Sequence, residues 1–179
     1  MSIRRRYAFI IALALAVSLY EVGMRTFFSV PFAYFFPGLG IICLGLFRGW
    51  NEEAFVFAFI LGGMHDVFRF QQTFLFAGFP VLVAVLRFIS LNVMTNRSLY
   101  SVIALTVLGR LCLWIWEISM HWMGSWFMPM QVLGIPWSEL WQRIAWDVFF
   151  VALCFLFPFV FRRLFGLRRK SAHTYGSLI

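Results

Sequence analysis

Ionisable residues stand inside the apolar segments of this chain, and their side chains are the ones that could do chemistry. They are His65, Asp66, Arg87, Arg110, Glu117, His121, Arg143 and Asp147. A charge at the depth of a bilayer is costly, so these residues are expected to face protein or a water-filled cavity rather than lipid. Four uses are open to them: ion pairing within a bundle, binding of a partner or small solute, proton transfer or catalysis, and metal binding.

Helical spacing places several of these residues on shared faces. Arg110 and Glu117 are seven residues apart, about two turns of one helix. Glu117 and His121 are four apart and could touch each other. Gly62 and Asp66 are also four apart, which puts a small residue and an acid on the same face.

Two interpretations of the charges follow from this spacing. In the structural interpretation, Arg110 neutralises Glu117 or Asp66, while Arg143 neutralises Asp147. In the functional interpretation, the polar residues of the outer half line one outward-facing cavity; these are Asp66, Glu117, His121 and Glu139. We predict a cavity or partner-binding set of six residues: Gly62, Asp66, Arg110, Glu117, His121 and Asp147.

Signals for an enzyme or a metal centre are weak. His65, Asp66, Glu117 and His121 are usable metal-ligand types. They lack a diagnostic spacing such as H-E-x-x-H, and the chain has neither a G-x-S-x-G nucleophile motif nor a glycine-rich phosphate loop. The sequence therefore predicts no catalytic residue, no metal, no cofactor and no enzymatic activity.

The composition predicts an all-α integral membrane protein. Of the 179 residues, 63% are hydrophobic and only 12% are charged, and the mean hydropathy is +0.87. Soluble domains are roughly 45–50% apolar and about 25% charged. The cysteines, Cys43, Cys112 and Cys154, lie singly in apolar runs and are interpreted as small buried residues.

About six transmembrane helices are expected in one domain covering residues 1–170, followed by a flexible cytoplasmic tail over residues 171–179. A span needs about 20 apolar residues. The predicted spans cover about residues 7–22, 37–48, 53–70, 73–94, 99–120 and 139–165. Pro37 is expected to be the first helical residue of the second span, and Asn51 is expected to be the N-cap of the third.

Separate predictions apply to the end of the first span and to the stretch before the last span. Glu21 is expected at the outer interface, where Arg25 at i+4 could pair with it. Residues 122–138 contain several Gly, Pro and Trp residues, which favours an interfacial loop with aromatic anchoring.

The positive charges predict the orientation. With six spans, the inner side carries ten cations: Arg4, Arg5, Arg6, Arg48, Arg97, Arg162, Arg163, Arg168, Arg169 and Lys170. The outer side carries Arg25 and Arg69. This bias predicts that both termini are cytoplasmic. Because the cations flank apolar runs, we expect them to contact membrane lipids rather than nucleic acid.

Several of these features together resemble the bacterial rod shape-determining protein MreD family. They are Phe36-Pro37 at the start of a short span, the Arg48-Gly49 turn, Gly62-Gly-Met-His-Asp66 at the end of the next span (like the G-x-x-x-D of that family), and the last span from Asp147 to Pro158 followed by Arg162-Arg163. The similarity extends over residues 37–163. The chain departs from the family pattern after Asp66 and at Asp147, where Asn is usual.

The resemblance implies a non-enzymatic scaffold subunit of the cell-elongation machinery in the bacterial inner membrane. Such proteins are thought to bind MreC, a single-span protein, and to support peptidoglycan synthesis by RodA and its transpeptidase. The implied fold is similar to that of the S-components of energy-coupling-factor transporters, with six helices around an outward cavity. A solute-binding subunit of that transporter type is the alternative function.

Overall fold

Six α-helices make up the described part of the chain in the computed structural model, which covers residues 3–27, 37–69, 74–93, 98–127 and 137–164. The helices are α1 (Ile3–Phe27), α2 (Pro37–Phe47), α3 (Asn51–Arg69), α4 (Leu75–Asn92), α5 (Leu99–Phe127) and α6 (Trp137–Leu164). The prediction of an all-α chain is confirmed. The predicted tail over residues 171–179 lies outside the described residues.

Local sequence signals explain where several helices begin. Pro37 opens α2, where the missing proline N–H would have had no partner within the helix. α3 begins at Asn51 with Glu52 and Glu53 in its first turn, where the helix dipole favours negative charge. Ser98 precedes α5, and its Oγ accepts a hydrogen bond from the Ser101 N–H at 3.3 Å.

Two helices are longer than predicted. α1 extends beyond residues 7–22 at both ends, because no proline interrupts residues 3–27. α5 continues to Phe127, so the predicted interfacial loop over residues 122–138 is wrong for its first six residues and for Trp137 and Ser138, which belong to α6. The remainder of that predicted loop, residues 128–136, lies outside the described residues.

Consecutive helices run in alternating directions. Arg6 contacts Glu53, so the starts of α1 and α3 lie together. Phe47 packs edge-on against Phe155 with ring centroids 5.9 Å apart, which joins the end of α2 to the second half of α6. We call this end of the bundle the terminal end, because it holds the start of α1 and the end of α6, and the other the opposite end.

The short helix α2 occupies the centre of the bundle, where it contacts all five other helices. The outer helices contact one another in the order α1, α3, α4, α5, α6. Among the described residues, no Cα atom of α1 lies within 8 Å of one in α6, so this ring is open on one side. The composition of α2, PGLGIICLGLF, suits its position because it contains no charge and three glycines.

Close packing on α2 depends on its glycines. A Cβ atom at Gly38 would collide with the Leu61 side chain of α3. A Cβ atom at Gly40 would lie 2.7 Å from the Phe150 ring of α6. Glycine therefore allows α3 and α6 to approach the central helix from two sides.

Three helices are long and apolar enough to cross a membrane, by length and composition. They are α4, the Leu99–Met123 part of α5 and the Trp137–Pro158 part of α6. Only a third or less of each of these segments is buried, and the rest of each presents large apolar side chains outward. Phe88 is 66% exposed and Phe157 is 60% exposed, which is typical of side chains that face lipid.

Candidate functional site

A buried acid–histidine pair joins α1 to α3. Glu21 Oε2 lies 2.6 Å from His65 Nε2, and both side chains are fully buried. The His65 ring stacks on Phe79 of α4, with ring centroids 6.5 Å apart. Residues of three helices therefore surround the pair, and its carboxylate and imidazole are hydrogen-bonded to each other.

Glu21 also caps the central helix. Its Oε1 accepts a hydrogen bond from the Gly38 N–H at 2.8 Å. The first N–H groups of a helix have no partner within the helix, and a carboxylate there is favoured by the helix dipole. Glu21 is fully buried within the bundle and bonds to His65 and Gly38, and the side chain of Arg25, its predicted partner, lies outside the described part.

A second buried pair joins α5 to α6. Arg110 Nε donates to Asp147 Oδ2 at 2.7 Å, and Arg110 Nη2 lies 2.6 Å from the same oxygen. Both side chains are at least 95% buried. The predicted pairing of Arg110 with Glu117 or Asp66 is therefore wrong, as is the assignment of Asp147 to Arg143.

The two buried pairs lie within electrostatic range of each other. The Cys43 thiol of α2 interacts with the Thr106 hydroxyl of α5 and lies within electrostatic range of both Arg110 and Asp147. Glu21 is close enough to Asp147 for their charges to interact. The two pairs and Cys43 therefore involve side chains from α1, α2, α3, α5 and α6.

A looser cluster lies at the opposite end, between α5 and α6. Arg143 Nη1 is 3.8 Å from Glu117 Oε2, and Arg143 Nη2 is 3.6 Å from Glu139 Oε2. These distances are long for ion pairs, and the side chains are 13–32% exposed. His121, one turn beyond Glu117, is exposed. The structure does not bring His121 together with the buried pairs.

Gly62 and Asp66 act together on the start of α4. Asp66 Oδ1 accepts a hydrogen bond from the Leu75 N–H at 2.9 Å, and Oδ2 accepts one from the Phe76 N–H at 2.8 Å. A Cβ atom at Gly62 would collide with the Leu75 carbonyl and lie 2.9 Å from the Phe76 Cα. Glycine therefore lets the backbone of α4 reach α3, and the aspartate, one turn later, binds it there.

The residue before α4 shows why this external cap is needed. Phe74 has φ 47° and ψ 42°, a left-handed conformation that is rare for a bulky residue, and its side chain makes no capping hydrogen bond. The Phe74 carbonyl accepts hydrogen bonds from the N–H groups of Ala77 and Gly78, which lie later in the first turn of α4. Asp66 supplies acceptors for the two N–H groups that remain at the helix start.

The polar side chains of the site bond to groups on neighbouring helices. Each of Asp66, Arg110 and Asp147 bonds to protein groups, and the described residues include no group of three His, Cys, Asp or Glu side chains able to hold a metal ion. Sequence reasoning left Glu21 out of the site, although its carboxylate bonds to groups of two other helices. One signal could have found it: a helix that begins at Pro37 needs an acceptor for its first free N–H groups.

Comparisons with family models, curated proteins and solved structures found no match for this chain.

Proposed function

We propose that this chain is a non-enzymatic membrane scaffold of the MreD type, which binds a single-span MreC-like protein in the bacterial inner membrane. One observation carries the proposal: polar side chains of the bundle, most of them buried, join helices to each other. Glu21 joins α1, α2 and α3, Asp66 joins α3 to α4, and Arg110 joins α5 to Asp147 of α6. A rigid platform of this kind suits a subunit whose task is to position partners.

Six membrane spans with both termini in the cytoplasm belong to this proposal. α1 and α3 carry more charge than a lone span tolerates, yet Arg6 of α1 pairs with Glu53 of α3 at the terminal end, and Glu21 of α1 is hydrogen-bonded to His65 of α3. Tyr7 adds a hydrogen bond to Glu52 at 3.1 Å. Charges that pair between neighbouring helices are compatible with membrane insertion of both.

The Gly62-x-x-x-Asp66 contact supports the family resemblance at the level of single residues. In this chain the glycine and the acid have one shared target, the first turn of α4. A family whose members need the same α3–α4 contact would keep both residue types at this spacing. The proposal places RodA and its transpeptidase as further partners, reached through the MreC-like protein.

Co-expression with an MreC-like single-span protein tests the proposal. The two proteins would be solubilised in detergent, and the untagged partner would be followed through affinity purification and size exclusion. We expect co-elution at a fixed stoichiometry. The matched control is an unrelated single-span protein of equal length, which should be lost on washing. Equal recovery of both single-span proteins, or of neither, would remove the scaffold function.

The same preparation tests the solute-binding alternative. A vitamin-binding S-component would be stabilised by its ligand, so a thermal-shift screen of vitamins in detergent would show a saturable rise in melting temperature. The bonding of Asp66, Arg110 and Asp147 to protein atoms leaves those three side chains poorly suited to bind a solute. We expect no shift.

A further inference from the structure

We infer that an anionic phospholipid binds in a groove between α2 and α6 at the terminal end. The inference rests on the membrane location of the chain and not on its proposed scaffold function. The groove has a volume of about 470 Å³. Its floor and wall consist of Ile41, Leu44 and Gly45 from α2 and of Leu153, Cys154 and Phe157 from α6.

The groove exists because the ring of outer helices is open between α1 and α6. Ile41 and Gly45 also line a small depression of about 30 Å³ on the α1 side, so α2 is reachable from both flanks of the opening. In a membrane such an opening must be filled by apolar groups, since water has no access to it at that depth. Acyl chains or another helix are the two candidates.

The length of the groove favours acyl chains. From Ile41 to Arg48, α2 rises by about 10 Å, which is shorter than one leaflet of a hydrocarbon core about 30 Å thick. A spanning helix that docked here would have contacts along only a third of its length. A lipid of the adjacent leaflet has the matching length, with its headgroup at the mouth of the groove.

The mouth carries a cation that lacks an acidic partner. Arg48 lines the groove together with Trp50, and its guanidinium carbon lies 5.9 Å from the centre of the Trp50 ring. The chain has seven acidic residues, all in the described part, and none forms an ion pair with Arg48. At this end, Glu53 pairs with Arg6, and Glu52 accepts the Tyr7 hydroxyl.

This chemistry fits a lipid phosphate. Arginine binds phosphate oxygens through several N–H groups, and a tryptophan at the membrane interface sits at headgroup level. Arg4 and Arg5 are exposed at the same end and favour a headgroup with net negative charge. Basic pockets between membrane helices are a known setting for anionic lipids.

Native mass spectrometry of the delipidated protein in detergent tests the site. Phosphatidylglycerol and phosphatidylcholine with the same acyl chains would be titrated against the wild type, Arg48→Gln and Arg87→Gln. Arg87 is an exposed arginine in the last two turns of α4, away from the groove, and serves as the matched control. We expect phosphatidylglycerol to bind the wild type more tightly, and Arg48→Gln to weaken it about five-fold, the effect of one cation near a headgroup.

A second variant tests the apolar part of the site. A Cβ atom at Gly45 meets only the Trp50 Cβ, at 4.0 Å, so Gly45→Leu should fill the groove without displacing the backbone. We expect it to reduce the number of tightly bound lipids at an unchanged melting temperature. Equal losses in Arg48→Gln and Arg87→Gln would overturn the inference. The inference would also be overturned if a co-expressed single-span partner crosslinks to Cys154 and added phosphatidylglycerol does not lower the yield of that crosslink.

Discussion

The Glu21 carboxylate and the His65 imidazole meet at 2.6 Å in the interior of the bundle, although 44 residues separate them in the chain. Because Glu21 also binds the Gly38 N–H, this contact fixes the start of the central helix relative to both α1 and α3. The pair is therefore the point at which the first three helices depend on one another.

Removal of one member of this pair should strongly destabilise the protein. We expect Glu21→Ala to cost about 3–5 kcal/mol, because it leaves His65 without its buried acceptor and Gly38 without its cap. Thermal unfolding in detergent measures the loss. Glu52→Ala, which removes an exposed acid that accepts only the Tyr7 hydroxyl in the described part, should cost less than about 1 kcal/mol. Similar losses in the two variants would contradict the assignment.

The Arg110–Asp147 pair predicts a compensated double variant. Asp147→Leu alone leaves a buried guanidinium unpaired and should cost about 3–5 kcal/mol. Arg110→Met combined with Asp147→Leu replaces the pair by apolar groups and should recover most of that loss. The double-mutant cycle gives the coupling energy. Arg143→Ala, which removes long and partly exposed ion pairs, should cost much less than Asp147→Leu.

Two adjacent glycines give a sharp test of the α3–α4 contact. Gly62→Ala should destabilise the fold by about 1–3 kcal/mol, because its Cβ atom has no room against the backbone of Leu75. Gly63→Ala should be neutral or slightly stabilising, since a Cβ atom there meets nothing within 4 Å and alanine favours the helix. Melting temperatures of the two variants in one detergent decide the question. A larger loss in Gly63→Ala would be inconsistent with this packing.

Asp66 should matter for partner binding as well as for stability. Asp66→Ala removes two acceptors from the start of α4 and should cost about 1–2 kcal/mol. We expect it to reduce co-purification of an MreC-like partner more than Glu52→Ala does. Asp66→Asn keeps one acceptor oxygen, so its co-purification yield should fall between those of Asp66→Ala and Glu52→Ala. If all three variants fold and bind alike, the α3–α4 contact has no part in recognition.

Helix type and several helix starts could be predicted from the sequence because their signals are local. Pro37 fixes the first residue of α2, and the apolar run after Ser98 defines α5. The far ends of α1 and α5 could not be predicted from polarity. Glu21 and His121 look like interface residues in the sequence, but a helix continues past a polar residue when no proline or unfavourable turn stops it.

Several members of the candidate site were predictable, but Glu21 and the pairings were not. Arg110, Asp147, Gly62 and Asp66 could each be named, since ionisable or small residues in apolar helices are conspicuous. Helical spacing reports which residues share a face of one helix. It carries no information on which neighbouring helix that face meets. The sequence therefore favours Glu117 or Asp66 as the partner of Arg110, whereas the observed partner is Asp147, 37 residues away.

The short central helix has a consequence for how the protein is made. At 11 residues α2 rises about 16 Å, roughly half of a hydrocarbon core of about 30 Å, so it has little tendency to remain in a bilayer by itself. Two of the helices that enclose it, α5 and α6, are synthesised last. During biogenesis the nascent chain must therefore hold α2 against α1 and α3 through the Glu21 cap until its carboxyl-terminal half emerges. A ribosome stalled after α4 would leave an intermediate with one face of α2 uncovered, a natural substrate for membrane chaperones and proteases.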